Sequence, residues 1–180
     1  DSMSTFAIGY IINKICQNLK NDENYVNIGV WKGFSLIAGM INSDCNIYGV
    51  DDFSQFGGPK EEFIKNFNPL KDEKKHFFYD CDYKEFFKLY EKMNKSISFY
   101  YYDGEHSYKN QFENLIIAKE FFKSGTIILV DDINFPKVES GTKDFINKYE
   151  KDYEILKEIK TSNLNCHPSY WNGLILFKKK

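Results

Sequence analysis

The chain has 180 residues, enough for one compact α/β unit but too few for two of ordinary size. Its formal net charge of −2, with acids and bases interspersed, argues against a nucleic-acid binder that relies on a basic face. Cys16, Cys45, Cys81 and Cys166 are scattered without a C-x-x-C pair, and no apolar run reaches membrane-spanning length. A zinc knuckle, a disulfide framework and a membrane partner are therefore unsupported. The expectation is a protein of the cytoplasm with reduced thiols.

Residues 5–19 carry Phe6, Ile8, Ile11, Ile12, Ile15 and Leu19 at helical spacing. Residues 25–30 read as a strand running into Gly29 and Gly33, and 34–41 continue as an apolar helix. A second strand, 46–50, ends at Asp51-Asp52, and a helix is expected over 61–67. The pattern then gives a third strand at 76–79, a helix at 83–93, and a fourth strand at 97–102 that stops at Asp103. Residues 110–122 form the next expected helix, closed by Gly125 in the left-handed C-terminal position. A buried fifth strand follows at 126–130, then a helix at 142–149 and last strands at 153–159 and 174–177. The Tyr100-Tyr101-Tyr102 run reads as core; Trp31 and Trp171 read as packing residues, with lining of a sugar or aromatic substrate as the alternative; His76 carries no site signal, and His167 beside Cys166 lacks a second metal-ligand pair.

Alternating strands and helices imply right-handed βαβ units and a mostly parallel sheet, whose ligands bind beyond the carboxyl ends of the strands. The segment Asn27-Ile28-Gly29-Val30-Trp31-Lys32-Gly33 is a G-x-x-x-G turn between strand and helix. Asp51 ends the next strand, where an acid can accept hydrogen bonds from ribose hydroxyls. The G-x-G-x-x-G pyrophosphate pattern is missing, so a nucleoside without phosphates fits better than a dinucleotide. A nicotinamide oxidoreductase is disfavoured on the same ground.

Asp103-Gly104-Glu105-His106-Ser107-Tyr108 follows the fourth strand, and Asp131-Asp132 follows the fifth. If those strands are neighbours, Asp103, Asp131 and Asp132 share one rim and repel one another unless a cation lies between them. Mg²⁺ suits three hard oxygen ligands. Such an ion beside an alcohol lowers the hydroxyl pKa, and His106 is within reach as a base. The bland readings stand beside these: a turn-capping role for Asp131-Asp132, and an ordinary loop histidine.

Together the series 26–35, Gly49-Val50-Asp51, Asp103 to Tyr108 and Gly125 to Asp132 resembles the class I S-adenosylmethionine-dependent methyltransferases. More narrowly it resembles the branch of macrolide-sugar O-methyltransferases and cephalosporin hydroxylase-like proteins. The resemblance implies a Rossmann-like three-layer sandwich, with a mostly parallel seven-stranded sheet ending in an antiparallel hairpin. It divides the chain into an N-terminal helical segment (1–24), a cofactor-binding core (25–132) and a C-terminal helix and hairpin (133–180). It also implies that Asn27, Gly29, Gly33 and Ser35 border the methionine part of S-adenosylmethionine and that Asp51 holds the ribose. Cys81, Asp82 and Tyr83 would sit by the adenine. Asp103 would serve cofactor, metal and catalysis, with His106 as the base and Asp131 and Asp132 as further metal ligands.

Asn27 departs from the acid that the family usually carries there. Little material is present for a substrate lid beyond the N-terminal helix and the loops 133–141 and 161–172. Acceptor selection is left to those loops, a second copy of the chain or a neighbouring domain. The expected activity is O-methylation of a sugar, glycan or other small molecule. The rival is a weak or inactive cofactor-binding module of a larger protein.

Overall fold

The computed structural model describes residues 3–162 and 164–180; residues 1, 2 and 163, in the expected N-terminal segment and the 161–172 loop, lie outside it. Seven strands form one sheet: β1 (Asn24–Ile28), β2 (Asn46–Asp51), β3 (His76–Asp80), β4 (Ile97–Tyr102), β5 (Phe122–Asp131), β6 (Tyr153–Ile159) and β7 (Leu174–Lys179). Their order is β3-β2-β1-β4-β5-β7-β6. The first five are parallel, and β7 lies antiparallel to both β5 and β6. The sheet and its closing hairpin are those the sequence led us to expect.

Burial on both faces explains why the central strands read as unbroken apolar runs. On one face α1 (Phe6–Gln17), α2 (Phe34–Met40) and α3 (Lys60–Phe67) pack over Tyr25, Phe99, Tyr101 and Leu129. On the other, α4 (Tyr83–Lys92), α5 (Tyr108–Ala118) and α6 (Pro136–Lys148) cover Val26, Tyr48, Tyr100 and Tyr102. Tyr100, Tyr101 and Tyr102 are all core, and the buried hydroxyls find partners: Tyr100 donates to Asn114 and Tyr101 to Asp131. No helix among the described residues is long and apolar enough to cross a membrane.

Two expectations need correcting. Gly125 does not close α5, which ends at Ala118 and passes through a 3-10 turn, Lys119–Phe121, into β5. Gly125 instead sits inside β5, at φ +87°, where the pairing with β4 jumps from Ile97–Phe122 to Phe99–Ile127. It is the glycine of a bulge, tied off by Thr126, whose hydroxyl accepts from the Lys123 amide and donates to the Ile97 carbonyl. The second correction concerns 133–141, expected as a loop. Most of it is the first half of α6, which starts at Pro136 in the N1 position. Ser140, Gly141 and Thr142 are poor helix formers and hid it.

The strand order reverses direction between β1 and β4, the place where open α/β sheets leave a crevice. Every polar segment singled out above follows a strand carboxyl end around that crevice.

Candidate functional site: a cleft at the β1–β4 switch point

The turn after β1 is pressed onto the tip of β4. The Asp103 amide donates to the Ile28 carbonyl at 2.9 Å, and the Gly29 amide donates to the Val50 carbonyl at 2.9 Å. Gly29 has φ +82°, and a Cβ there would lie 1.9 Å from the Asp103 carbonyl oxygen. Only glycine fits both constraints. Gly33, at φ +98°, is the N-cap of α2, where a Cβ would crowd Phe63.

Asp51 binds this turn through backbone amides. Its Oδ2 accepts from Val30 and Trp31, each at 2.8 Å, and its Oδ1 accepts from Phe53 at 2.7 Å. The carboxylate therefore fixes the glycine turn and the loop after β2 together, while still lining the cleft. Trp31 takes the left-handed φ of 45° in the process.

Asn27 is fully buried and joins β1 to α2. Its Oδ1 accepts from the Ser35 hydroxyl at 2.8 Å, and its Nδ2 donates to the Gly29 carbonyl at 3.2 Å. The second bond needs a donor, which a carboxylate lacks, so the amide suits this turn. Asn27→Ala should leave the Ser35 hydroxyl and the Gly29 carbonyl unsatisfied, costing about 1–3 kcal/mol in denaturant unfolding. An unchanged midpoint would show that the pair does not hold the turn. Asn27, Gly33 and Ser35 stand behind the cleft and do not line it.

The cleft has a volume of about 420 Å³, within the usual range for small-molecule sites. One end is lined by Asp51, Phe53, Cys81, Asp82 and Tyr83. Asp82 is the N-cap of α4, its carboxylate held by the Lys84 and Glu85 amides at 2.7 and 2.9 Å. The Tyr83 hydroxyl donates to Asn110 at 3.1 Å, which closes this end against α5. Phe53, Asn110, Phe135, Trp171 and Asn172 also face the cleft; the last three come from the 133–141 and 161–172 segments to which acceptor selection was left, and Phe53 and Asn110 are additions. They sit in loops or on the first turns of helices, where no periodic pattern marks them.

At the other end Asp103, His106 and Asp132 bring their ligand atoms within 4.8 Å of one another. His106 Nε2 is 2.9 Å from Asp132 and 3.6 Å from Asp103, and its ring stacks on Phe135 with centroids 5.2 Å apart. Asp132 reaches this position through a φ of 61°. Asp131, expected alongside, is turned inward. Its carboxylate accepts from the Tyr101 hydroxyl and, at 2.9 Å, from the Asp132 amide. The left-handed φ of Asp132, just past the end of β5, turns it away from Asp131, so the pair divides its work. The trio that meets is Asp103, His106 and Asp132, with Asp131 behind it.

Burial pulls the His106 pKa down, but hydrogen bonds to Asp103 and Asp132 and their charges outweigh it and push the value up to about 10. Burial raises Asp103 to about 6, with its hydrogen bond to His106 opposing the rise. Burial, followed by the charges of Asp103 and Asp132, holds Asp131 well above the usual carboxylate range. At neutral pH His106 is thus an imidazolium between carboxylates. Lifted above its unfolded value of roughly 6.5, it contributes stability that is complete below that pH and lost as pH rises toward 10. In chelator-treated protein the melting midpoint should fall more steeply between pH 7 and 10 than that of His106→Gln. Parallel curves would contradict the pairing.

Asp132 Oδ1 is buried and has no hydrogen-bond partner among the described residues. An orphaned carboxylate oxygen beside the Asp103 carboxylate and the His106 ring nitrogen is a donor set that fits a divalent cation once His106 has lost its proton.

Comparison with known proteins agrees with this fold. No curated protein matches the sequence. Among solved structures, the O-methyltransferase from Bacillus cereus in complex with SAH superposes with a TM-score of 0.75 at 13% identity, over 96% of this chain and 80% of that one. TomG from Streptomyces achromogenes, an O-methyltransferase involved in tomaymycin synthesis and crystallised with SAM, gives 0.71 at 10% identity over 96% and 79%. Cofactor-bound Rv0187 from MTB gives 0.71 at 11% identity over 95% and 78%. At these identities the likeness is one of fold. The sequence profile described as "Methyltransferase domain" matches residues 26–133, from β1 to just past Asp131 at the end of β5 and Asp132 beyond it, and the chain belongs to that methyltransferase family.

Proposed function

We propose that the chain transfers the methyl group of S-adenosylmethionine to a hydroxyl oxygen of a small molecule, with a sugar or glycan among the acceptors to be tried, and that a divalent cation such as Mg²⁺ assists. The observation that carries this reading is one continuous cleft, running from Asp51, Asp82 and Tyr83 to Asp103, His106 and Asp132. An adenosyl group suits the first end and a hydroxyl acceptor the second. The solved relatives whose names mention O-methyltransferase, SAM or SAH support the same assignment.

In this account the glycine turn and Asp103 border the methionine part of the donor, with Asn27 and Ser35 holding the turn from behind. Asp51 and the Asp82–Tyr83 segment flank the nucleoside. The acceptor oxygen attacks the methyl carbon in line with the departing sulfur, which keeps the electron pair of the broken C–S bond and leaves as a neutral thioether. A cation held by Asp103 and Asp132, with Asp131 behind them, would lower the acceptor hydroxyl's pKa and neutralise the carboxylates. His106 would first release its resting proton to water, and its imidazole would then take the acceptor's hydroxyl proton. Phe135 and Trp171 narrow the acceptor end and limit water.

The test is formation of S-adenosylhomocysteine with a panel of hydroxylated acceptors, before and after chelation. Product that depends on acceptor and falls with chelator supports the reading. A protein that binds the donor tightly and yields no product with any acceptor would favour the cofactor-binding module instead.

A further inference from the structure

Tyr101 lies on β4, and the parallel register sets it beside Leu129 of β5, with Tyr102 beside Val130. Side chains alternate faces along a strand, so Tyr101 shares a sheet face with Leu129 and, two residues farther on, with Asp131. The step from Tyr101 to Asp131 is a diagonal that a long side chain can cross. The Tyr101 hydroxyl crosses it and donates to Asp131 Oδ2. Tyr101 is fully buried, in the apolar cluster that holds Tyr25, Phe99 and Leu129. A phenylalanine would fill that space without burying a hydroxyl, which costs free energy unless it is bonded.

This bond is the first of a succession that ends in the cleft. Asp131 Oδ1 accepts from the Asp132 amide at 2.9 Å, and the Asp132 carbonyl accepts from the Phe135 amide at 3.0 Å. These bonds hold the backbone on both sides of Asp132 while its φ is 61°. A residue with a side chain keeps that left-handed conformation only where its surroundings impose it. From there the Asp132 carboxylate comes within 2.9 Å of His106 Nε2 and gathers with Asp103 and His106. Asp131 is 4% exposed and does not line the cleft, so its part is to hold its neighbour in place.

We infer that Tyr101 is a positioning residue for the cation: its hydroxyl fixes the Asp131 carboxylate, which anchors the Asp132 backbone and so aims Asp132 at the place shared with Asp103 and His106. The inference rests on the cation-assisted reading above and adds to it a residue that touches neither ion nor substrate. Without the hydroxyl, a buried carboxylate is left with one donor, turns toward the more polar cleft, and no longer anchors the Asp132 amide. Hydrogen-bond partners standing behind a metal site typically account for about 10–100-fold in metal affinity.

The experiment titrates Mn²⁺ alone, read by electron paramagnetic resonance at a single pH, into wild-type protein, Tyr101→Phe and Tyr100→Phe. Tyr100 is the control, because it is the next residue on the strand, equally buried, and donates to Asn114 on the opposite face. Both variants lose one buried hydroxyl and its bond, and both should unfold at lower denaturant concentration than the wild type. Mn²⁺ affinity should fall about 10–100-fold in Tyr101→Phe and keep its wild-type value in Tyr100→Phe. S-adenosylhomocysteine affinity should be retained in both. Equal Mn²⁺ affinity in wild type and Tyr101→Phe overturns the assignment and leaves the cation reading in place. Equal weakening in the two variants marks a general loosening of the sheet and also overturns it, as does S-adenosylhomocysteine affinity lost in parallel with Mn²⁺. A wild type that binds no Mn²⁺ overturns the cation reading and this inference with it. Should Tyr101→Phe fail to fold, a wild-type crystal soaked with Mn²⁺ decides: Asp131 still bonded to Tyr101 is expected, and Asp131 parted from it contradicts the assignment.

Discussion

Gly29→Ala is expected to lose measurable S-adenosylhomocysteine binding and to unfold far more easily than the wild type. Two independent costs meet at this residue. A side chain at φ +82° is strained, and its Cβ would lie 1.9 Å from the Asp103 carbonyl oxygen, which is backbone and has no rotamer to change. The combined penalty is roughly 2–6 kcal/mol, a large part of the stability of a domain of this size. Relief requires lifting the turn off β4, which pulls on the Val30 and Trp31 amides held by Asp51. The change therefore propagates to both walls of the cleft. Calorimetric titration and denaturant unfolding on the same sample read both effects. Gly125→Ala is the natural control, because that glycine also has a positive φ but nothing within 4 Å of its Cβ. Near-wild-type affinity in Gly29→Ala would contradict the close approach on which the cleft depends.

Asp132→Asn is expected to reduce turnover by about 10²–10⁴-fold while leaving cofactor affinity within a few-fold. Asp132 accepts from His106 at 2.9 Å, and its other oxygen is buried without a partner among the described residues. The amide keeps the shape but removes one of the two anions facing His106 and one hard ligand from the cation set. Stability should change little, because removing a charge from a crowded acidic cluster relieves repulsion as well as losing an ion pair. Chelation should lower wild-type turnover and add little to the loss already present in the variant. Wild-type turnover in Asp132→Asn would remove this trio from the chemistry.

Much of the architecture was legible in the chain. The apolar runs at 46–50 and 97–102 mark strands buried on both faces, and each ends at the aspartate that the structure sets at the crevice. The helix over 136–148 was only half legible, because Ser140, Gly141 and Thr142 favour other conformations, and tertiary contacts decide the matter: Thr142 is buried and bonds to Gln111, and Gly141 packs on it. Gly125 was misread because a left-handed glycine serves a helix end and a strand bulge equally well. In the site, the positions of Asp51, Asp103 and Asp132 at strand tips followed from the topology. The backbone amides that bind Asp51 have no residue signature, so its hold on the turn was invisible. The division between Asp131 and Asp132 was also hidden, since it depends on one positive φ. Phe53, Phe135 and Trp171 reach the cleft from loops whose paths no local pattern specifies.

A crystal structure with S-adenosylhomocysteine bound tests the central claim most directly. The nucleoside should lie between Asp51 and the Asp82–Tyr83 segment, with the sulfur directed toward Asp103, His106 and Asp132. Density for the ligand elsewhere on the protein, or a sulfur facing away from that trio, would contradict it.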